Sequence, residues 1–196
     1  SLGMGATGSR LLSGDQAGLH EFESEIADIM GYDSALCFNS GYHANIGILS
    51  GLFMKGDALF IDKKAHASIM DGMRLSKADY YRFNHQDMAH LSRLLQTHRH
   101  HYKRACIVTE GVFSMDGHVG NIQGVSRLKR EFNTLLMVDE AHSLGVYGDK
   151  GLGIAHQAGG AKVADIVVGT FGKAVGGQGA FFCGGHHMRE VLIQMA

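Results

Sequence analysis

Short apolar runs rich in β-branched residues recur along the chain, separated by segments whose apolar positions fall at helical intervals. That alternation predicts βα units packed on a parallel sheet. Strands are predicted over 35–38, 58–61, 79–83, 105–109, 135–138, 165–169 and 180–183. The runs Cys106-Ile107-Val108-Thr109 and Leu135-Leu136-Met137-Val138 are apolar or nearly so throughout, which predicts strands covered on both faces in the middle of the sheet. Leu19, Phe22, Ile26, Ile29 and Met30 recur at helical spacing with acids on the opposite face, an amphipathic helix over 19–30. Further helices are predicted over 44–54, 86–98, 125–132 and 188–195. With no linker, low-complexity tract or repeat between them, the segments read as one α/β unit: a mostly parallel central sheet with helices on both faces.

Composition narrows the class. A chain of 196 residues buries roughly 70% of its unfolded surface. Its 45% hydrophobic and 19% charged residues lie far from the signature of disorder. The formal net charge of -1 gives no basic footprint for nucleic acid or an anionic membrane, so neither is expected as a partner. Cys37, Cys106 and Cys183 lie far apart in apolar runs and are expected to be reduced core thiols, which favours a cytoplasmic protein. No apolar stretch reaches the ~18 residues of a membrane span, and residues 1–10 lack a leader pattern. The chain contains no proline and starts on Ser1 rather than methionine, and its last predicted helix stops one residue short of the end without a cap; a partial chain is expected.

Two strand ends carry the candidate chemistry. Asp139 follows Leu135-Leu136-Met137-Val138, at the carboxyl edge where open α/β sheets bind ligands; a helix cap or a metal ligand are the plainer alternatives. Lys173 follows the run at 165–169 between Gly172 and Gly176. There a lysine is expected off the solvated face, with a depressed pKa that makes it a nucleophile towards carbonyls, the alternative being one that merely snorkels past a glycine turn. A phosphate P-loop is excluded, because Gly169 and Gly172 are too close and Ala174 stands where serine or threonine is required. Gly3-Met4-Gly5-Ala6-Thr7-Gly8 has the dinucleotide-binding spacing but no strand before it. His98, His100 and His101 lack a paired cysteine or acid, and no metal site is expected. Ser126 and Lys129 have serine-acylase spacing only on an amphipathic helix. Asp139, His142 and Lys173 end two strands that could be neighbours, and an acid with an amine suits pyridoxal 5'-phosphate (PLP), which needs one at its ring nitrogen and the other at its aldehyde. The turn at 39–45 leads into a helix whose backbone N–H groups could cradle the phosphate.

Six motifs in order carry a resemblance: Gly8-Ser9-Arg10 with Gly14 and His20; Ser40-Gly41-Tyr42 with Ala44-Asn45; His66-Ala67-Ser68-Ile69 with Asp71-Gly72; Thr109-Glu110-Gly111-Val112-Phe113-Ser114-Met115-Asp116-Gly117; Val138-Asp139-Glu140-Ala141-His142; and Gly169-Thr170-Phe171-Gly172-Lys173. In these the chain resembles the α-oxoamine synthases of the aspartate-aminotransferase-like fold. The resemblance implies that residues 1–196 are the cofactor-binding large domain of a fold-type I PLP enzyme, with an N-terminal segment and a C-terminal small domain absent. It implies Lys173 as the covalent partner of PLP and the general base, Asp139 on the pyridine nitrogen, His142 near the ring hydroxyl and His66 stacked on the ring. Gly41 and Tyr42 would give N–H groups to the phosphate, Ser114 and Thr170 would hold ring and phosphate from the side, and Glu110 would shape the site. The implied activity condenses an amino acid with an acyl thioester of coenzyme A or a carrier protein, losing carbon dioxide, in a homodimer. The same condensation with glycine or serine in place of alanine, transamination and threonine aldol cleavage are the rival reactions, and a non-catalytic relative that keeps the fold is the rival of another class.

Overall fold

The computed structural model describes residues 6–196, so the glycine run beginning at Gly3 lies partly outside the described residues. Seven strands form one sheet: β1 (Ser34–Phe38), β2 (Ala58–Asp62), β3 (Asp79–Phe83), β4 (Ala105–Glu110), β5 (Leu135–Asp139), β6 (Ile166–Thr170) and β7 (Ala180–Gly184). Their spatial order is β1-β7-β6-β5-β4-β2-β3. β3, β2, β4, β5 and β6 are mutually parallel, while β7 runs antiparallel to both β6 and β1. All seven predicted strands are present, and β4 and β5 lie at the centre of the sheet, as their unbroken apolar runs require.

Alternate residues of each strand feed two separate cores, the period-two pattern of a sheet covered on both sides. Phe60, Ile107, Leu136, Val138 and Phe181 face one core, packed by α1 (Ala17–Met30), α4 (Met88–His98), α5 (Ile122–Phe132) and α6 (Ile154–Ala158). Leu59, Ile61, Val108, Met137, Val168 and Phe182 face the other, packed by α2 (Gly41–Leu52), α3 (Ala67–Ser76) and α7 (His186–Met195). Local chemistry sets the helix ends. Ser40, Asp87 and Asn121 cap α2, α4 and α5 by accepting backbone N–H groups three residues on, and Gly31, in the left-handed region at φ 72°, stops α1.

Two expectations are corrected. Helix α3 carries no clear apolar stripe, because three of its five buried positions are Ser68, Gly72 and Ser76. Gly72 lets the backbones of α2 and α3 approach so closely that a Cβ there would lie 2.8 Å from the Asn45 carbonyl oxygen. On α1 the buried face is rotated: Phe22 and Ile29 are exposed, and the acid Glu23 is buried instead. Its carboxylate pairs with Arg10 at 2.6 Å and with Arg189 at 2.8 Å and accepts the Cys37 N–H, joining the N-terminal segment, α1, β1 and α7. All three cysteines are free, and Cys106 and Cys183 are buried. No helix among the described residues is long and apolar enough to cross a membrane.

Candidate active site

Glu110, Asp139 and Thr170 are the last residues of the adjacent parallel strands β4, β5 and β6. Strand order reverses between β2 and β4, and a cleft opens beside that switch point at the carboxyl edge, where doubly wound sheets bind ligands. Its volume is about 220 Å³. Its walls include Gly41, Tyr42, His66, Glu110, Asp139, His142, Thr170 and Lys173, so eight of the nine residues singled out in the sequence meet here.

The ninth does not. Ser114 is exposed on the loop after β4, where Lys64 pairs with Asp116 and the His85 ring packs on Phe113, and it is not part of the cleft wall. Lys173 also departs from expectation. The loop at 172–178 lies open, so the lysine is exposed rather than enclosed. Its Nζ nevertheless lies 2.8 Å from His142 Nε2, and partial burial lowers its pKa against the opposing pull of Asp139 and Glu110. Burial, then the adjacent Lys173, pushes His142 down as well. A neutral imidazole is thereby favoured, able to accept a hydrogen bond from the amine.

Asp139 sits at the base of the cleft, 5% exposed. Its Oδ1 accepts the Ala141 N–H at 2.9 Å and its Oδ2 accepts Asn45 Nδ2 at 2.7 Å. None of the ion pairs among the described residues includes it. Glu110 is its register partner on β4 and is equally buried. Burial, and then the charge of Asp139, pushes the Glu110 carboxyl up to about 8, although it accepts the His66 N–H at 2.6 Å. Of two carboxyls side by side, Glu110 is thus the one that burial and its neighbour drive towards the protonated form.

The elements above the strands supply the walls. At the start of α2 the N–H groups of Gly41 and Tyr42 have no intrahelical acceptor, the usual condition of a helix N-terminus and one that suits an anion. Gly41 stands against Thr170, with its Cβ position 3.9 Å from the threonine Cβ, and the Thr170 hydroxyl donates to the Gly179 carbonyl to hold the loop that carries Lys173. The Tyr42 hydroxyl donates to Asp71 of α3 at 2.9 Å. His66 caps α3, its Nδ1 accepting the Ser68 N–H. Sequence reasoning assigned no role to Asn45 or Ser68, although both stood within motifs; their burial and pairing with groups of the cleft become apparent only in three dimensions. No group of three or more histidine, cysteine or acidic side chains among the described residues could hold a metal ion.

The donor set fits PLP. A buried carboxylate without a cationic partner is costly unless a ligand supplies the positive charge, which a protonated pyridine nitrogen would. A primary amine and a helix N-terminus stand in the same cleft for the aldehyde and the phosphate.

Comparison with known proteins agrees with this geometry. The family model for aminotransferases of class I and II matches residues 2–196. An 8-amino-7-oxononanoate synthase from Chlorobaculum parvum is 44% identical over 190 residues, covering 97% of this chain and 48% of that protein. Among solved structures, a serine palmitoyltransferase from S. paucimobilis, determined with a bound PLP-myriocin adduct, matches with TM-score 0.91 at 34% identity, covering 98% of this chain and 50% of that one. An 8-amino-7-oxononanoate synthase from Francisella tularensis matches with TM-score 0.79 at 39% identity, covering 91% and 51%. The chain therefore spans about half the length of the relatives it matches. With a match along almost its whole length, the chain belongs to the aminotransferase class I and II family, and its resemblance to the α-oxoamine synthases holds in both sequence and structure.

Proposed function

We propose that the protein binds PLP in the cleft at the ends of β4, β5 and β6 and condenses an amino acid with an acyl thioester, releasing carbon dioxide and the free thiol. The observation that carries this reading is the buried Asp139 carboxylate, in no ion pair among the described residues, in one cleft with the Lys173 amine. Among α-oxoamine synthases, Arg82-Phe83-Asn84-His85-Gln86-Asp87, the 109–117 motif and Thr170-Phe171-Gly172-Lys173 are most like 8-amino-7-oxononanoate synthase, which favours L-alanine and a pimeloyl thioester as substrates, as in biotin synthesis. The similarity to serine palmitoyltransferase structures supports a second reading on the same chemistry, with serine and a long acyl chain.

When bound, PLP supplies a protonated ring that withdraws electrons from the substrate α-carbon. The chain's own groups do the rest. Lys173 offers the amine that holds the cofactor and, once released, accepts a proton at Nζ; its lowered pKa makes the neutral, proton-accepting form accessible. His142 accepts a hydrogen bond from that amine and orients it. Asp139 presents its carboxyl group at the cleft base, and the raised pKa of Glu110 keeps that neighbour's proton in place beside it. His66, at the N-cap of α3, provides a flat face for a ring.

Borohydride reduction of the PLP-treated full-length protein, followed by peptide mapping, tests the site: the label should fall on Lys173 and vanish in Lys173→Ala. A label on another lysine overturns the assignment. Product analysis then separates the reactions. Carbon dioxide and free coenzyme A from alanine and pimeloyl-CoA, with little from serine and palmitoyl-CoA, support the first reading, and the reverse preference supports the second.

A further inference from the structure

A chain of hydrogen bonds with one direction runs along the wall of the cleft, to which Asn45 and Ser68 both belong. Asn45 is 2% exposed. Its Nδ2 donates to Asp139 Oδ2 at 2.7 Å and to Ser68 Oγ at 2.9 Å, which uses both amide hydrogens. The Ser68 hydroxyl accepts from Asn45 and so keeps its own hydrogen to donate to His66 Nδ1, 2.7 Å away, a nitrogen that also accepts the Ser68 N–H. His66 in turn gives its own backbone N–H to Glu110. Asn45 Oδ1 is buried without a partner. The reverse amide orientation would set that oxygen against the Asp139 carboxylate, acceptor against acceptor, and break the link to the acid. One orientation is therefore imposed, and a stranded carbonyl oxygen is its cost.

We propose that Asn45, acting through Ser68, is the positioning residue that couples the two walls of the cofactor slot, fixing the Asp139 carboxylate that faces the ring nitrogen and the His66 imidazole that faces the ring plane. The inference rests on the functional reading above and adds to it a residue of the cleft wall whose amide is bonded to Asp139 and Ser68 rather than to the amine. Each donated hydrogen bond does separate work. The one to Asp139 holds the rotamer of its carboxyl group. The one to Ser68 turns the hydroxyl proton towards His66 Nδ1, which makes Nδ1 the acceptor, leaves the ring proton on Nε2 and locks the ring angle. Because the same amide serves both, a shift of α2 relative to β5 moves acid and imidazole together. Oδ1, the unpartnered atom, is the free acceptor of a group whose donors are fully committed.

Asn45→Ala and Ser68→Ala in the full-length protein test this with PLP as the probe. PLP affinity is read by equilibrium titration and the ring environment by pH titration of the bound cofactor's visible band. Asn45→Ala should weaken PLP binding by about tenfold or more, as outer partners of ligating groups commonly do. It should also shift the midpoint of the visible band by about half a pH unit or more, with far-UV circular dichroism unchanged. Ser68→Ala should weaken PLP binding less and alter the band through His66 alone; it supplies the reading if Asn45→Ala does not fold. Asn45→Ala/Ser68→Ala should be little worse than Asn45→Ala, the non-additivity of a shared chain. A wild-type protein that binds PLP, with a band and affinity unmoved in both single variants, overturns the inference alone. A wild-type protein that takes up no PLP overturns the functional reading and this inference with it.

Discussion

Glu110 shows how a single buried group sets the behaviour of its neighbours. Its carboxyl is pushed up to about 8, so between the ordinary carboxylate range and that value the folded protein holds a proton that the unfolded chain has released. Folding stability from this group consequently falls as pH rises through that window. Glu110→Gln, a neutral isostere, should match the wild type near pH 5 and exceed it above pH 8 by on the order of a few kcal/mol, measured by urea denaturation across pH. An unchanged pH slope in the variant would mean that Glu110 is ionised at neutrality. At this scale Asp139 was legible in the sequence because it ends an apolar strand, Lys173 because it follows one between glycines, and Glu110 only through its motif. Asn45 and Ser68 were not, since a polar residue on a helix carries no mark of what it will face until the helix is docked. Ser114 misled for the opposite reason: its motif is intact, but the loop that carries it turns towards Lys64 and His85 rather than the cleft.

Elements were read well wherever packing is apolar. β4 and β5 declared themselves by unbroken runs, and β2, β6 and β7 by compact ones, all fully buried but for Leu135 at the start of β5. α3 escaped because it packs through small residues, for which neither hydropathy nor periodicity gives a signal. Gly72 measures how tight that packing is. Alanine is the better helix former by roughly 1 kcal/mol, yet the substituent would meet the backbone of α2, the Asn45 carbonyl at 2.8 Å and Ile46 Cα at 3.1 Å, and backbone does not yield as a side chain would. Gly72→Ala should therefore destabilise the fold by about 1–3 kcal/mol despite the propensity gain, a fall visible in the thermal midpoint. A rise would show that α2 and α3 can separate at little cost. A similar enclosure surrounds Glu140, whose carboxylate accepts from Ser143 and from the N–H groups of Ile154 and Ala155, with Gly111 and Gly153 leaving the space it fills. The loop between β5 and α6 is thereby wrapped around one acid, directly after Asp139.

Across the molecule, the α/β class and strand count followed from alternation alone, while the antiparallel placement of β7 did not, because strand direction leaves no trace in a short apolar run. Glu23 is the largest departure from pattern and the widest tie, joining four segments far apart in sequence. Burial works to raise its carboxyl pKa, but hydrogen bonds from Arg10, Arg189 and the Cys37 N–H outweigh burial and hold it below the ordinary value. Its contribution to stability is complete above that ordinary value and is lost as pH falls through the lowered one, the reverse of Glu110. Glu23→Gln should thus flatten the acid limb of the stability profile and lower stability at pH 7 by about 3–5 kcal/mol, the range for breaking a buried ion pair. A variant as stable as the wild type at neutrality would mean that the cluster is solvated in solution.

The close seating of α2 on α3 at Gly72 has a kinetic consequence. If neither helix can lift without dragging the other, their backbone amides open in one concerted event, so deuterium uptake along 41–52 and 67–76 should share a single opening free energy. Any molecule that lodges against Gly41 would then slow exchange as far away as Met73, a residue it never meets.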